Sequence, residues 1–128
     1  MDRSVRILLS IGGIVCGLSV IIGAFGAHYL KPILLANEKL AAFETGVQYQ
    51  IFHGLAILAT GIILQFNSNR SLKVAAWLFL IGILLFSGSL YLLGITNERI
   101  FGPITPVGGI CFIVGWVYFL LGIKKPVQ

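Results

Sequence analysis

Charge is what this chain lacks most. Only 10% of its 128 residues are Asp, Glu, Lys or Arg, while 58% are hydrophobic. A soluble domain carries about 25% charged and about 45–50% apolar residues. So few charges leave too little polar surface to cover a soluble fold. Disorder is excluded as well, because it requires low hydrophobicity. An integral membrane protein remains, and the length fits one domain, residues 1–128.

Acids and catalytic motifs are equally scarce. The acids are Asp2, Glu38, Glu44 and Glu98, so a paired-carboxylate site would need Glu44 with Glu98. Gly-x-Ser-x-Gly, His-Glu-x-x-His and Walker patterns are absent. The two cysteines, Cys16 and Cys111, each lie inside an apolar run, without CxxC or Cys/His metal spacing. They read as small core residues. No enzyme activity, metal or cofactor is expected.

Four apolar runs stand out, at residues 7–27, 51–66, 72–93 and 107–123. A hydrocarbon core of about 30 Å needs about 20 helical residues. The second run reaches that length if its helix starts near Glu44. The fourth does if Thr105 caps it, with Pro106 in its first turn. The expected spans are therefore 7–27, 44–66, 72–93 and 105–123. The runs do not alternate in polarity, so helices are expected rather than a barrel. The predicted fold is all-α, four antiparallel transmembrane helices in a bundle. The first run is too long for the core of a signal peptide and is expected to stay as a span.

The net charge of +5 suggests topology rather than a nucleic-acid partner. Arg3, Arg6, Arg70, Lys73, Lys124 and Lys125 fall on one side, and Lys31, Lys39 and Arg99 on the other. The positive-inside rule then places both termini in the cytoplasm of a multi-pass bacterial plasma-membrane protein. Tyr29, Tyr49, Trp77, Tyr91 and Trp116 read as an aromatic belt near span ends. Residues 67–70 form a tight polar turn joining antiparallel neighbours. In the longest connector, Leu40, Phe43 and Val47 have amphipathic spacing. That connector is expected to be an interfacial helix, N-capped by Asn37, running on into span two.

Glycine is abundant, at 16 residues. Helices in lipid associate by close approach at small residues. Gly13-xxx-Gly17 is a formal GxxxG, and Ser19, Gly23 and Ala27 continue a small-residue ladder. Gly54 and Gly61 share a face, as do Gly115 and Gly122. These positions are expected to pack helices within the bundle, with homo-oligomerisation as the competing role.

Polar residues concentrate in span two. Glu44 and Gln48 stack at i, i+4, and Thr45, Tyr49 and His53 form a second stripe that Thr60 extends. With Gln50 and His28, they are expected to converge at the outer half of the bundle. Ser87, Ser89 and Tyr91 in span three are candidate partners for His53. The simplest role is a hydrogen-bonded buckle. Competing roles are a proton or solute path using Glu44 and His53, a lipid or quinone headgroup site, and bis-His haem ligation by His28 and His53.

The blocks Gly23-Ala24-Phe25-Gly26-Ala27-His28, Phe43-Glu44-Thr45-Gly46-Val47-Gln48-Tyr49-Gln50 with His53, Phe86-Ser87-Gly88-Ser89-Leu90-Tyr91 and Gly102-Pro103-Ile104-Thr105-Pro106-Val107-Gly108-Gly109 with Gly115-Trp116 carry a resemblance. The chain resembles the YgdD/YwdK family of small bacterial inner-membrane proteins. Eukaryotic relatives of that family are known only as a small transmembrane protein. The resemblance implies four spans and no established reaction, cofactor or catalytic residue. The expected role is non-enzymatic: binding lipid or a membrane partner, alone or as an oligomer, and supporting membrane integrity. The alternative is a small transporter or channel subunit.

Overall fold

The computed structural model describes residues 1–124. Lys125, one of the cations used for orientation, lies outside them. Helix α1 spans Arg3–Ala27. A short helix α2, Lys31–Ala36, begins with proline in its first turn, where a missing N–H costs nothing. Helix α3 spans Leu40–Phe66. The third span, Arg70–Thr96, is built from α4 (Arg70–Gly82), a π-helical turn (Ile83–Ser87) and α5 (Gly88–Thr96). A 3-10 turn at Arg99–Phe101 leads into α6, Ile104–Lys124. No strand occurs among the described residues.

Four helices are thus long and apolar enough to cross a membrane. Helix α3, at 27 residues, is about 40 Å long at about 1.5 Å per residue. Its ends therefore extend past a hydrocarbon core of about 30 Å.

The spans are not equally enclosed. Helix α1 lies along α3, and α6 lies along α4. Of the most apolar stretch, 44% is buried in α3 and 39% in the third span, against 22% in α1 and in the last span. The two inner spans form the core with Ile57, Leu72, Ala75 and Phe79. The flanking helices turn Ile14, Val20, Ile110 and Ile113 outward, as lipid-facing surfaces require.

Glycines make both flanking seams. On the first, Gly12 meets Leu58, Gly54 meets Val15 and Cys16, Gly61 meets Leu9, and Gly26 meets the Phe43 ring. Gly23 approaches Val47 less tightly. On the second, Gly82 meets Phe112, Gly108 meets the Phe86 backbone, Gly115 meets Phe79, and Gly122 meets Leu72. Gly13 and Gly17 depart from expectation. A Cβ at either would meet nothing within 4 Å. One residue is a 100° rotation, so the seam uses Gly12 and the formal GxxxG faces away from α3.

The connectors also correct the sequence reading. The helix carrying Leu40, Phe43 and Val47 does run on into span two as α3, but the earlier part of the connector is the separate helix α2, because Glu38 adopts a left-handed conformation at φ 54° between them. Asn37 does not cap α3. It closes α2, and its amide donates to the Gly94 and Ile95 carbonyls at 2.8 and 3.3 Å. Thr105 lies inside α6 rather than capping it, and its hydroxyl shares a 2.6 Å bond with Ser89. At the opposite end Asn69 caps α4 by accepting from the Ser71 N–H. The same side chain donates to the Gly122 carbonyl at 3.1 Å. Asn37 therefore ties the α2–α3 connector to the third span, and Asn69 ties the start of the third span to the last.

Candidate functional site

His53 is the middle residue of α3, which puts it near the bilayer midplane. Only 5% of it is exposed. A polar ring at that depth requires partners, since no water is there to supply them. Trp116 Nε1–H donates to His53 Nε2 at 3.1 Å. Indole nitrogen can only donate, so Nε2 must accept. The ring proton is then on Nδ1 and is donated to the Tyr49 carbonyl at 2.8 Å. The ring also stacks on Phe112, centroid to centroid 3.6 Å. Both nitrogens of this neutral tautomer are engaged.

A second polar set ties three spans. Ser87 Oγ donates to the Gly46 carbonyl at 2.6 Å. Four residues further along each helix, Tyr91 Oη donates to Gln50 Oε1 at 2.6 Å. Both residues of each helix lie at i, i+4, so one face of the third span meets one face of α3. The Gln50 amide then donates to the Val15 carbonyl of α1 at 3.0 Å. Gln50 is therefore a hub between α1, α3 and α5. Thr60 bonds back to Ala56, as Thr45 does to Ala41. No buried side-chain polar atom among the described residues lacks a partner.

The predicted cluster is thus divided. Gln50, His53, Ser87, Ser89 and Tyr91 lie inside the protein, but Ser87, Ser89 and Tyr91 do not bond His53. His28 is exposed at the end of α1, beside Ala24, Phe25 and Tyr29. The two histidines do not converge, and axial ligation by the pair has no geometric basis here. Glu44 and Gln48 are exposed on the other face of α3. They line a groove of about 590 Å³ against Gly23, Gly26 and Ala27 of α1. Glu44 makes no ion pair among the described residues. Glu98 is not part of this groove, so no carboxylate pair forms there.

Trp116, Tyr49 and Tyr91 also leave the predicted aromatic belt. Trp116 bonds His53, Tyr91 bonds Gln50, and Tyr49 packs on Phe86 at 4.6 Å. Tyr29 and Trp77 remain outward-facing, and Trp116 and Tyr49 also keep an exposed side while making these contacts. Trp116 and Asn69 were the residues the sequence reading missed as polar partners. Trp116 lies well inside the run 107–123, and that depth was the available signal.

A family described as "Protein of unknown function (DUF423)" matches residues 22–109. The chain belongs to this family. The match thus covers the groove lining, Gln50 and its Tyr91 partner, but not Val15. A UPF0382 membrane protein of Haemophilus influenzae is 42% identical over 126 residues, 98% of this chain and 97% of the relative. The UPF0382 membrane protein YwdK of Bacillus subtilis is 37% identical over 121 residues, 94% of this chain and 98% of its own. The UPF0382 inner membrane protein YgdD of Escherichia coli is 38% identical over 121 residues, 94% of this chain and 89% of its own. No solved structure matches. The DUF423 relatives are membrane proteins, and the four apolar helices make this chain one too.

Proposed function

We propose that the protein is a non-enzymatic plasma-membrane component that holds phospholipid at the α1–α3 groove and thereby supports membrane integrity. The ligand class is a phospholipid whose headgroup carries an ammonium. The observation that carries this is Glu44, an unpaired carboxylate lining a groove of about 590 Å³. It lies one helical turn inside α3, at the edge of the hydrocarbon core. An ionised carboxylate accepts hydrogen bonds only and favours a cationic partner there. Gln48, one turn deeper, offers both donor and acceptor. The Lys and Arg bias supports cytoplasmic termini, which puts the groove in the outer leaflet.

A proton or solute path receives less support. The polar groups inside the protein end on backbone carbonyls, Val15 for Gln50 and Tyr49 for His53. Amide and indole groups in between do not relay protons.

Native mass spectrometry of the mildly extracted protein tests the proposal. Retained phosphatidylethanolamine, reduced by Glu44→Gln and by filling the groove with Ala27→Leu, is the expected result. A bare wild-type protein, or equal retention by the variants, would overturn it.

A further inference from the structure

A second pocket lies at the same end of the molecule but shares no lining residue with the α1–α3 groove. It has a volume of about 360 Å³ and is lined by Asn37, Glu38, Lys39, Leu93, Asn97 and Arg99. That size falls within the range of about 300–1,000 Å³ usual for small-molecule sites. Three observations set it apart from ordinary surface.

Among the described residues, the two non-glycine positions with positive φ are Glu38, at 54°, and Asn97, at 56°. Both line this pocket. Asn97 is readily explained, because it closes α5 with its N–H on the Leu93 carbonyl and asparagine tolerates that conformation. Glutamate tolerates it less well, and such residues gather where function fixes the backbone. The two walls are also clamped. The Asn37 amide holds the Gly94 and Ile95 carbonyls, so the α2–α3 turn cannot separate from the end of α5. Lastly, of the three cations at this end of the chain, Lys31, Lys39 and Arg99, two line the pocket. Neither forms an ion pair among the described residues, although Glu38 lines the same pocket. The clamp thus brings Lys39 and Arg99, sixty residues apart in sequence, to the lining of one cavity.

We propose that this pocket is an anion site that takes a phosphate group, with Arg99 gripping two oxygens and Lys39 supplying a point charge. A planar guanidinium matches phosphate oxygens in pairs, and lysine contributes charge without that geometry. The phosphate belongs either to a phospholipid headgroup at the membrane surface or to a free phosphate compound. Both sources present the same oxygens, and the site stands whether or not the α1–α3 groove holds lipid.

Calorimetric titration of the full-length protein in a neutral detergent, at an ionic strength of about 0.15 M to screen diffuse attraction, tests this. One arm uses inorganic phosphate, and the other uses dihexanoyl phosphatidylglycerol. Saturable binding is expected, weakened at least about tenfold by Lys39→Gln with Arg99→Gln, since each lost charge-assisted bond approaches that factor. Lys31→Gln, which removes an equal charge outside the pocket, should leave binding unchanged. So should Glu44→Gln, which separates this site from the groove. Saturation by free phosphate identifies a solute-anion site, and saturation by the lipid alone identifies a headgroup site. Either supports the proposal. It is overturned if neither probe saturates, or if Lys31→Gln weakens binding as much as the double variant.

Discussion

The Trp116 indole N–H points at His53 Nε2 across 3.1 Å, joining the last span to the centre of α3. The bond is directional: tryptophan must donate and histidine must accept. The His53 ring is held on its other side by the Tyr49 carbonyl and on its face by Phe112. Trp116→Phe keeps the aromatic bulk but leaves a buried acceptor unpaired, which costs about 1–3 kcal/mol. Adding His53→Phe removes that acceptor, and replacing both partners with apolar groups is often nearly neutral. We therefore expect Trp116→Phe to lower thermal stability in detergent and the double variant to recover part of the loss. A double variant at the sum of the two single losses would show that the bond has no coupling energy.

The Gln50 hub should behave differently, because it joins three helices rather than two. Tyr91→Phe removes one donor and leaves the Val15 bond intact. Side-chain bonds between membrane helices average about 0.6 kcal/mol and reach about 1.7, and Tyr91→Phe should fall in that range. Gln50→Leu severs both connections and releases α1 from the third span. Its expected signature is a larger stability loss, with hydrogen exchange accelerating in α1 near Val15. If exchange there is unchanged, the Gln50–Val15 bond does not hold α1 in place.

Asn69 performs two tasks that can be separated. Its Oδ1 caps α4 and its amide holds the Gly122 carbonyl of α6. Asn69→Ser keeps a competent cap but loses the long amide donor, whereas Asn69→Ala loses both. Loss of a cap costs about 1 kcal/mol. Hydrogen exchange should quicken at the end of α6 in both variants, but at the start of α4 only with alanine. Equal loosening of α4 in both would show that serine does not replace the cap.

The spans were legible because apolar runs of this length have one physical explanation. The glycine seams were legible as a principle but not in every position. Gly54, Gly61, Gly115 and Gly122 sit in close seams, while Gly13 and Gly17 face open space. A helical wheel fixes angles between residues of one helix, yet says nothing about where its neighbour stands. Grouping Glu44 and Gln48 with His53 is a different error, since at 100° per residue the wheel itself sets them on opposite sides of α3. Residue type alone assigns Trp116 to a belt, whereas its position mid-way along α6 places it at the depth of His53. The break at Glu38 left no signal, since glutamate is not a residue that usually takes positive φ. The π-helical turn at Ile83–Ser87 was also invisible. It adds a residue to one turn and so changes the register that brings Ser87 and Tyr91 onto α3.

Glycine substitutions offer the sharpest test of how the flanking helices are seated. A Cβ on Gly108 would overlap the Phe86 backbone nitrogen and Cα, within the π-helical turn. Backbone cannot rotate aside as a flexible side chain can, so α6 would have to move. Moving it would also strain the Ser89–Thr105 bond and the Trp116–His53 bond that depend on its position. Gly61→Ala is milder, because its nearest neighbour is the Leu9 side chain, which has rotamers to spare. Gly13→Ala and Gly17→Ala meet nothing within 4 Å. They should be neutral or stabilising by up to about 1 kcal/mol each, from helix propensity alone. The expected order of thermal stability is Gly13→Ala and Gly17→Ala at or above wild type, Gly61→Ala below it, and Gly108→Ala lowest. A loss at Gly13 or Gly17 comparable to Gly108→Ala would mean that the outward face of α1 is packed in the membrane. In that case a second copy of the chain would be the first occupant to test, by crosslinking through a cysteine introduced at Gly17.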